Sequence, residues 1–206
     1  VLGGRPAMGK TSFSLNMALN VSKTQNLPVC LFNLEISKEQ ISNRFLSMEL
    51  GIESGRLRTG RLQLDEWSLL SEGIDSLSKL PLHITDQPIS SIQEMQSICQ
   101  KIKEESEKKS LGLVILDYVQ LLDYLPISDV SNREEYLLKL AKSLKRMAEE
   151  LNVPVIVISQ LSKDVEKRRN KRPMLSDIRD FEPLEVYSDI ITMIYRDEYY
   201  NPESED

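Results

Sequence analysis

Apolar positions along this chain follow two different periods. The runs Leu113-Val114-Ile115-Leu116 and Val155-Ile156-Val157-Ile158 are continuously apolar and short. Such runs suit strands of a parallel sheet that is covered on both faces. By the same pattern, strands are predicted over Val29–Leu34, Leu82–Thr85, Leu113–Asp117, Pro154–Ser159 and Asp189–Tyr195. Between them the apolar spacing lengthens to the helical three-to-four. Lys10–Thr24 carries Phe13, Met17, Ala18 and Val21 on one predicted face, and Asp65–Leu80 carries Trp67, Leu70, Ile74 and Leu77. Ser91–Lys109 presents Ile92, Met95, Ile98, Cys99 and Ile102. Two further helices open on capping-box spacing, Ser37 with Gln40 before Ser37–Leu50 and Ser131 with Glu134 before Ser131–Leu151. Strands alternating with helices predict an α/β fold, a largely parallel central sheet flanked by helices in one domain.

Composition narrows the class. The 206 residues are 40% hydrophobic and 28% charged, and a domain of that size buries roughly 70% of its unfolded surface without disulfide or metal staples. No apolar run approaches the roughly 20 residues of a membrane span, and because no basic n-region followed by an apolar h-region appears at the start, no signal peptide is expected. The cysteines Cys30 and Cys99 lie far apart without metal-ligand spacing, which suits a reducing compartment and not secretion. His83 is the single histidine, which argues against a His-based triad or a multi-His metal site; its place in a predicted strand gives it a structural role. Trp67 and the methionines are expected in the core. The start, Val1-Leu2-Gly3-Gly4 without an initiator Met, reads as the remnant of a strand, residues 1–4, and residues 200–206 as a polar tail. The expectation is one domain cut from a longer protein at both ends.

Charge is informative only when divided. The net charge of −6 argues against a nucleic-acid partner for the chain as a whole. Residues 163–179, however, hold seven basic and three acidic side chains, while residues 180–206 hold nine acidic and one basic. A basic loop is thus set against an acidic C-terminal stretch on a nearly neutral body.

Gly4-Arg5-Pro6-Ala7-Met8-Gly9-Lys10-Thr11 fits G-x-x-x-x-G-K-[ST]. Small residues let the backbone curl its N–H groups into one concavity, and the helix starting near Lys10 adds its positive end. In that pattern Lys10 reaches the β- and γ-phosphates and Thr11 ligates Mg²⁺. A second carboxylate-bearing strand tip is expected, and Leu113–Asp117 supplies it, with Asp117 holding the metal shell. Hydrolysis needs a group that polarises water. Glu35 follows the strand Val29–Leu34, and parallel strands deliver their C-terminal tips to one edge, so Glu35 is the candidate base. Gln160, after the strand Pro154–Ser159, reaches the same edge and is placed to sense the γ-phosphate and pass its presence to the basic loop from Lys163.

Taken together, these strings resemble the C-terminal motor domain of the DnaB-type replicative helicases, a branch of the RecA-like ATPases. The resemblance rests on Gly4–Thr11, on Leu31-Phe32-Asn33-Leu34-Glu35, and on Arg58-Thr59-Gly60. It continues through Asp117-Tyr118-Val119-Gln120-Leu121, Asn152-Val153-Pro154-Val155 and Ser159-Gln160-Leu161-Ser162. Lys171-Arg172-Pro173-Met174-Leu175-Ser176-Asp177-Ile178-Arg179 and Tyr195-Arg196-Asp197-Glu198 complete it, in order, across essentially the whole chain. The resemblance implies a RecA-like P-loop NTPase that uses ATP and Mg²⁺, assembles as a homo-hexameric ring and holds single-stranded DNA in its channel through basic loops. It implies Arg168, Arg169, Lys171, Arg172 and Arg179, within the loop region 163–188, as DNA contacts. Primase and a helicase loader are further implied partners, and the bacterial cytoplasm or a plastid stroma the implied location, with no membrane.

Two departures from the family pattern are visible. Its DNA-binding loop usually runs Asp-Leu-Arg-Glu-Ser-Gly-Ser-Ile-Glu, whereas here Asp177-Ile178-Arg179-Asp180 is followed by Phe181-Glu182-Pro183. Glu182 repels phosphate and Pro183 has no N–H to offer it. The family's Lys-x-Arg finger also falls on a strand beyond residue 206, so the segment alone is expected to hydrolyse ATP slowly or not at all. Two other readings stay open: a RecA-like recombination or repair ATPase, and a nucleotide-binding module with weakened DNA translocation. A small-molecule kinase is less suited, because it needs no basic loop after the sensor strand.

Overall fold

The structure, a computed structural model, describes residues 1–117, 133–201 and 203, with the side chains of residues 133 and 179–182 outside that description. Among the described residues, six parallel strands form one sheet: β1 (Leu2–Gly4), β2 (Val29–Asn33), β3 (Leu82–Thr85), β4 (Leu113–Asp117), β5 (Val155–Gln160) and β6 (Thr192–Met193). Their order across the sheet is β3-β2-β4-β5-β1-β6. The helices are α1 (Lys10–Gln25), α2 (Lys38–Leu50), α3 (Ser54–Thr59), α4 (Leu64–Ser78), α5 (Ile92–Glu105), α6 (Arg133–Leu151), α7 (Glu182–Tyr187) and α8 (Asp197–Tyr200).

The unbroken apolar runs of β2, β4 and β5 divide their residues between two cores. Val29, Leu31, Leu113, Ile115 and Ile158 pack with Leu15, Ala18 and Leu19 of α1 and Ile41 and Phe45 of α2. Cys30, Phe32, Val114, Leu116 and Val157 pack with Met95 and Cys99 of α5 and Leu140, Leu144 and Met147 of α6. Successive strand side chains point to opposite faces, so a strand apolar at every position needs helices on both sides.

Register then brings the strand tips into line. Gly4 stands opposite Gln160, and Asn33 opposite Asp117. β5 lies between β4 and β1, so the phosphate-loop strand, the Gln160 tip and the Asp117 tip share one edge, as the parallel topology demands.

Several local expectations need correction. On α1 the buried face is Ser14, Leu15, Ala18, Leu19 and Ser22, while Phe13 and Met17 are exposed. On α4 only Gly73 is buried, and Trp67 is 52% exposed. A helical stripe shows which residues share a face but not which face meets a partner. Met17 and Met174 are likewise exposed, whereas Met8, Met95 and Met147 are in the core. The last predicted strand shrinks from Asp189–Tyr195 to Thr192–Met193, and α3, α7 and α8 have no counterpart in the periodicity. Ser37 caps α2 in the expected capping box, with its hydroxyl accepting from Gln40 N and the Gln40 side chain accepting from Ser37 N. The box expected at Ser131 and the string Tyr118–Leu121 lie outside the described residues.

Candidate functional site

The phosphate loop leaves β1 and enters α1 through two residues with positive φ, Ala7 at 63° and Gly9 at 92°. A Cβ added to Gly9 would meet nothing within 4 Å, so its backbone angle, not crowding, selects glycine there. Gly9 caps α1 without a side-chain bond, and α1 has no acidic residue in its first turn. Its exposed N–H groups and positive end therefore stay available for an anion. The concavity opens into a cleft of about 600 Å³ lined by Pro6, Ala7, Gly9, Lys10, Thr11, Glu35, Arg44, Asp117, Gln160 and Arg196 among others. Every cleft candidate read from the sequence is there except Gly4, which lies in β1, Met8, which is buried, and Arg5, whose side chain points elsewhere.

Two charged groups, Lys10 and Asp117, and the Thr11 hydroxyl lie at the floor. Thr11 Oγ1 donates to Asp117 Oδ2 at 2.6 Å, and Lys10 Nζ donates to the Arg5 carbonyl at 3.0 Å. Asp117 is 2% exposed. Burial pushes its carboxyl above the ordinary range; the Thr11 hydrogen bond opposes that, and the neighbouring Glu35 charge reinforces it. Burial likewise lowers Lys10, against the attraction of Asp117 and Glu35. Both shifts have the same cause: charged groups have been taken out of water and are incompletely compensated. A hydroxyl and a carboxylate oxygen in contact, beneath a lysine, form a hard-oxygen donor pair suited to Mg²⁺ beside a phosphate.

Sequence reasoning missed Asn33, which joins the Asp117 carboxylate to the backbone turn that carries Glu35. It is completely buried at the tip of β2. Its Nδ2 donates to Asp117 Oδ2 at 3.2 Å. Its Oδ1 accepts from Glu35 N at 3.0 Å and Ile36 N at 2.8 Å. The turn that presents Glu35 is thereby built on the same amide that holds Asp117, while the Glu35 side chain remains exposed to the cleft. A polar residue closing a buried apolar strand is the signal that could have found it, because such a group needs dedicated partners. Arg44 of α2 and Arg196 before α8 also line the cleft. Arg44 acts electrostatically on Asp117; nothing in the spacing of α2 marks it.

The basic segment is tied down more than its charge suggests. Arg168 makes paired bonds to Asp177, Nη1–Oδ1 at 3.0 Å and Nη2–Oδ2 at 2.7 Å, and Nη2 also reaches the Arg172 carbonyl at 3.0 Å. Lys167 pairs with Asp164 at 2.7 Å, and Lys171 Nζ donates to the Glu166 carbonyl. Arg172 lies 4.9 Å from the centre of the Tyr195 ring. Arg169 is exposed. Arg179 falls in a 3-10 turn, Leu175–Phe181, and its side chain is outside the described residues. Pro183 is the second residue of α7, a first-turn position where a missing N–H costs the helix nothing.

Fold, strand-tip register and phosphate loop define a RecA-like P-loop ATPase domain. Over residues 1–206 the sequence matches the family described as DnaB-like helicase C terminal domain, and the chain belongs to that family. It is 45% identical over 205 residues to a probable replicative DNA helicase of Trieres chinensis, covering all of this chain and 44% of that one. It is 41% identical, with the same coverage, to the replicative DNA helicase DnaB of Geobacillus stearothermophilus. The chain thus spans less than half the length of these relatives. Among solved structures, one described as an ATPase domain superposes with a TM-score of 0.91 at 36% identity, over 99% of this chain and 71% of that one. A DnaB-like replicative helicase described with its primase interactions gives the same score and identity over 100% of this chain and 48% of that one.

Proposed function

We propose that this chain is the ATP-driven motor of a replicative DNA helicase, coupling hydrolysis to movement along single-stranded DNA and to duplex unwinding. The observation that carries the reading is the contact of Thr11 with Asp117, with Asn33 joining Asp117 to the turn of Glu35. That arrangement gathers a phosphate cradle, a metal-binding pair and a base in one cleft. Thr11 and Asp117 would hold Mg²⁺, which when bound neutralises charge on the β- and γ-phosphates. Lys10 leaves the Arg5 carbonyl for the phosphate oxygens, which are stronger acceptors. Glu35 orients a water for in-line attack on the γ-phosphorus and takes its proton as the bond to the bridging oxygen breaks. Gln160, at the tip between Gly4 and Asp117, is placed to sense whether the γ-phosphate is present and to pass that on through Leu161 to the basic segment.

Arg169, Arg172, Lys171 and Arg179 are proposed to meet the DNA backbone, with Arg168 bracing their loop from Asp177. Membership of the family supports a homo-hexameric ring around the strand, with primase and a loader as partners. The relatives in Geobacillus stearothermophilus and Trieres chinensis support the bacterial cytoplasm or a plastid stroma as the location; among the described residues no helix is long and apolar enough to cross a membrane. The test is strand displacement on a forked duplex by the full-length protein with ATP and Mg²⁺. Displacement that Lys10→Ala abolishes supports the reading; displacement that survives Lys10→Ala overturns it.

A further inference from the structure

We propose that Glu166 is the node of a latch that ties the phosphate loop to the basic segment, with Arg5 as its positioning residue. In the latched state Lys171 and Arg172 are held against the protein, and nucleotide releases them to single-stranded DNA. This rests on the proposed ATP and DNA sites above.

Arg5 stands second in the phosphate loop but does not line the cleft. Its Nε donates to Glu166 Oε1 at 3.0 Å and its Nη1 to the Leu161 carbonyl at 2.8 Å. The Arg5 side chain is 14% exposed and that of Glu166 38%. The main-chain carbonyl of Arg5 accepts the Lys10 ammonium at 3.0 Å. One residue therefore has its backbone on the nucleotide lysine and its side chain on the first turn of the basic segment.

Glu166 gathers the other end. The Tyr200 hydroxyl donates to Glu166 Oε1 at 2.9 Å, and Lys171 Nζ donates to the Glu166 carbonyl. The Tyr200 ring stacks on Tyr195 with centroids 5.7 Å apart, and Arg172 covers the Tyr195 ring. Lys171, through the Glu166 carbonyl, and Arg172, through the Tyr195 ring, thus both end on one cluster, whose Glu166 carboxylate is held by Arg5 and Tyr200. Arg5 and then Tyr200 hold that carboxylate below its ordinary range, and burial with Glu166 keeps the Tyr200 hydroxyl protonated, pushed up to about 12.

Nucleotide acts on this latch from the loop side. A triphosphate draws Lys10 off the Arg5 carbonyl and loosens the strut there. Releasing Lys171 and Arg172 adds two cations to the DNA-binding surface. Each cation that neutralises a phosphate steepens the salt dependence of single-strand binding by about 0.7 in log–log slope. Couplings of this kind change affinity by about 5–150-fold and act equally in both directions.

The experiment measures binding of a fluorescent oligo-dT strand to the full-length protein, with and without a non-hydrolysable ATP analogue and Mg²⁺, across a salt series. Nucleotide affinity is measured separately with a fluorescent nucleotide. Wild type is expected to bind DNA at least about fivefold more tightly, with a steeper salt slope, when the analogue is present. Glu166→Gln and Tyr200→Phe are expected to bind DNA tightly without the analogue and to respond to it by less than about threefold, with nucleotide affinity retained. If both variants keep the wild-type response, the latch is wrong while the underlying sites stand. If wild type binds nucleotide but no single-stranded DNA in either state, the DNA-site reading fails and the latch with it.

Discussion

Replacing Asn33 by Ala removes three hydrogen bonds at once: one donated to Asp117 and two accepted from the backbone N–H groups of Glu35 and Ile36. A bond to a charged partner contributes about 1.5–3 kcal/mol and a neutral one about 0.5–1.5. The turn at Glu35 is partly open, so water re-solvates some of what is lost, whereas Asp117 at 2% exposure has little access to it. A net loss of about 2–3 kcal/mol follows, as a lower denaturant midpoint with unchanged slope. Asn33→Asp separates the two duties. It keeps the acceptor for both N–H groups but sets a second carboxylate about 3.2 Å from the first. At an effective dielectric of about 20 that repulsion is about 5 kcal/mol if both stay ionised, so the pair relieves it by binding a proton. Asn33→Asp should therefore disturb Asp117 with the Glu35 turn intact, and Asn33→Ala should disturb both. Urea unfolding and steady-state ATP hydrolysis of the full-length variants provide the check. An Asn33→Ala protein within about 0.5 kcal/mol of wild type, with unchanged kcat, refutes the claim that this amide supports the site.

Other consequences follow from single contacts. Lys10→Ala should abolish measurable nucleotide binding in a fluorescent-nucleotide titration, because the residue is the ammonium at the cleft floor; near-normal affinity would contradict its role. Arg168→Ala should lower the unfolding midpoint, since it strands the buried Asp177 carboxylate, whereas Arg169→Ala should leave stability alone and reduce the salt slope of DNA binding by about 0.7. The reverse pattern in a paired melting and binding experiment would exchange their roles. Gly9→Ala should cost about 1 kcal/mol or more through φ 92° alone, as nothing crowds the position; a fully stable variant with intact nucleotide binding would show that the loop relaxes.

Much of this fold was legible because its strongest signals are local. Leu113–Asp117 is a strand with the bounds its apolar run predicted, and Ser37 caps α2 as its spacing with Gln40 required. The phosphate loop was legible because glycine and lysine spacing encodes a backbone path. What the sequence hid is what depends on distant partners. Phe13, Met17 and Trp67 lie on regular helical stripes, yet they face outward, since periodicity carries no information about which face is covered. Asn33 reads as one polar residue in an apolar strand until β4 places Asp117 opposite it. Arg168 looks like one more free cation until Asp177, nine residues on, folds back against it. Glu166 carried no signal at all, because its partners Arg5 and Tyr200 stand 161 and 34 residues away.

The most direct measurement is ATP hydrolysis by full-length Glu35→Gln, made beside nucleotide binding and with and without single-stranded DNA. The expected result is nucleotide affinity within about twofold of wild type, DNA-stimulated turnover in wild type, and a loss of about 10²–10⁴-fold in the variant, since the glutamine keeps the shape but cannot take the proton. Wild-type turnover by Glu35→Gln would contradict the assignment of the base and, with it, the catalytic reading of the cleft.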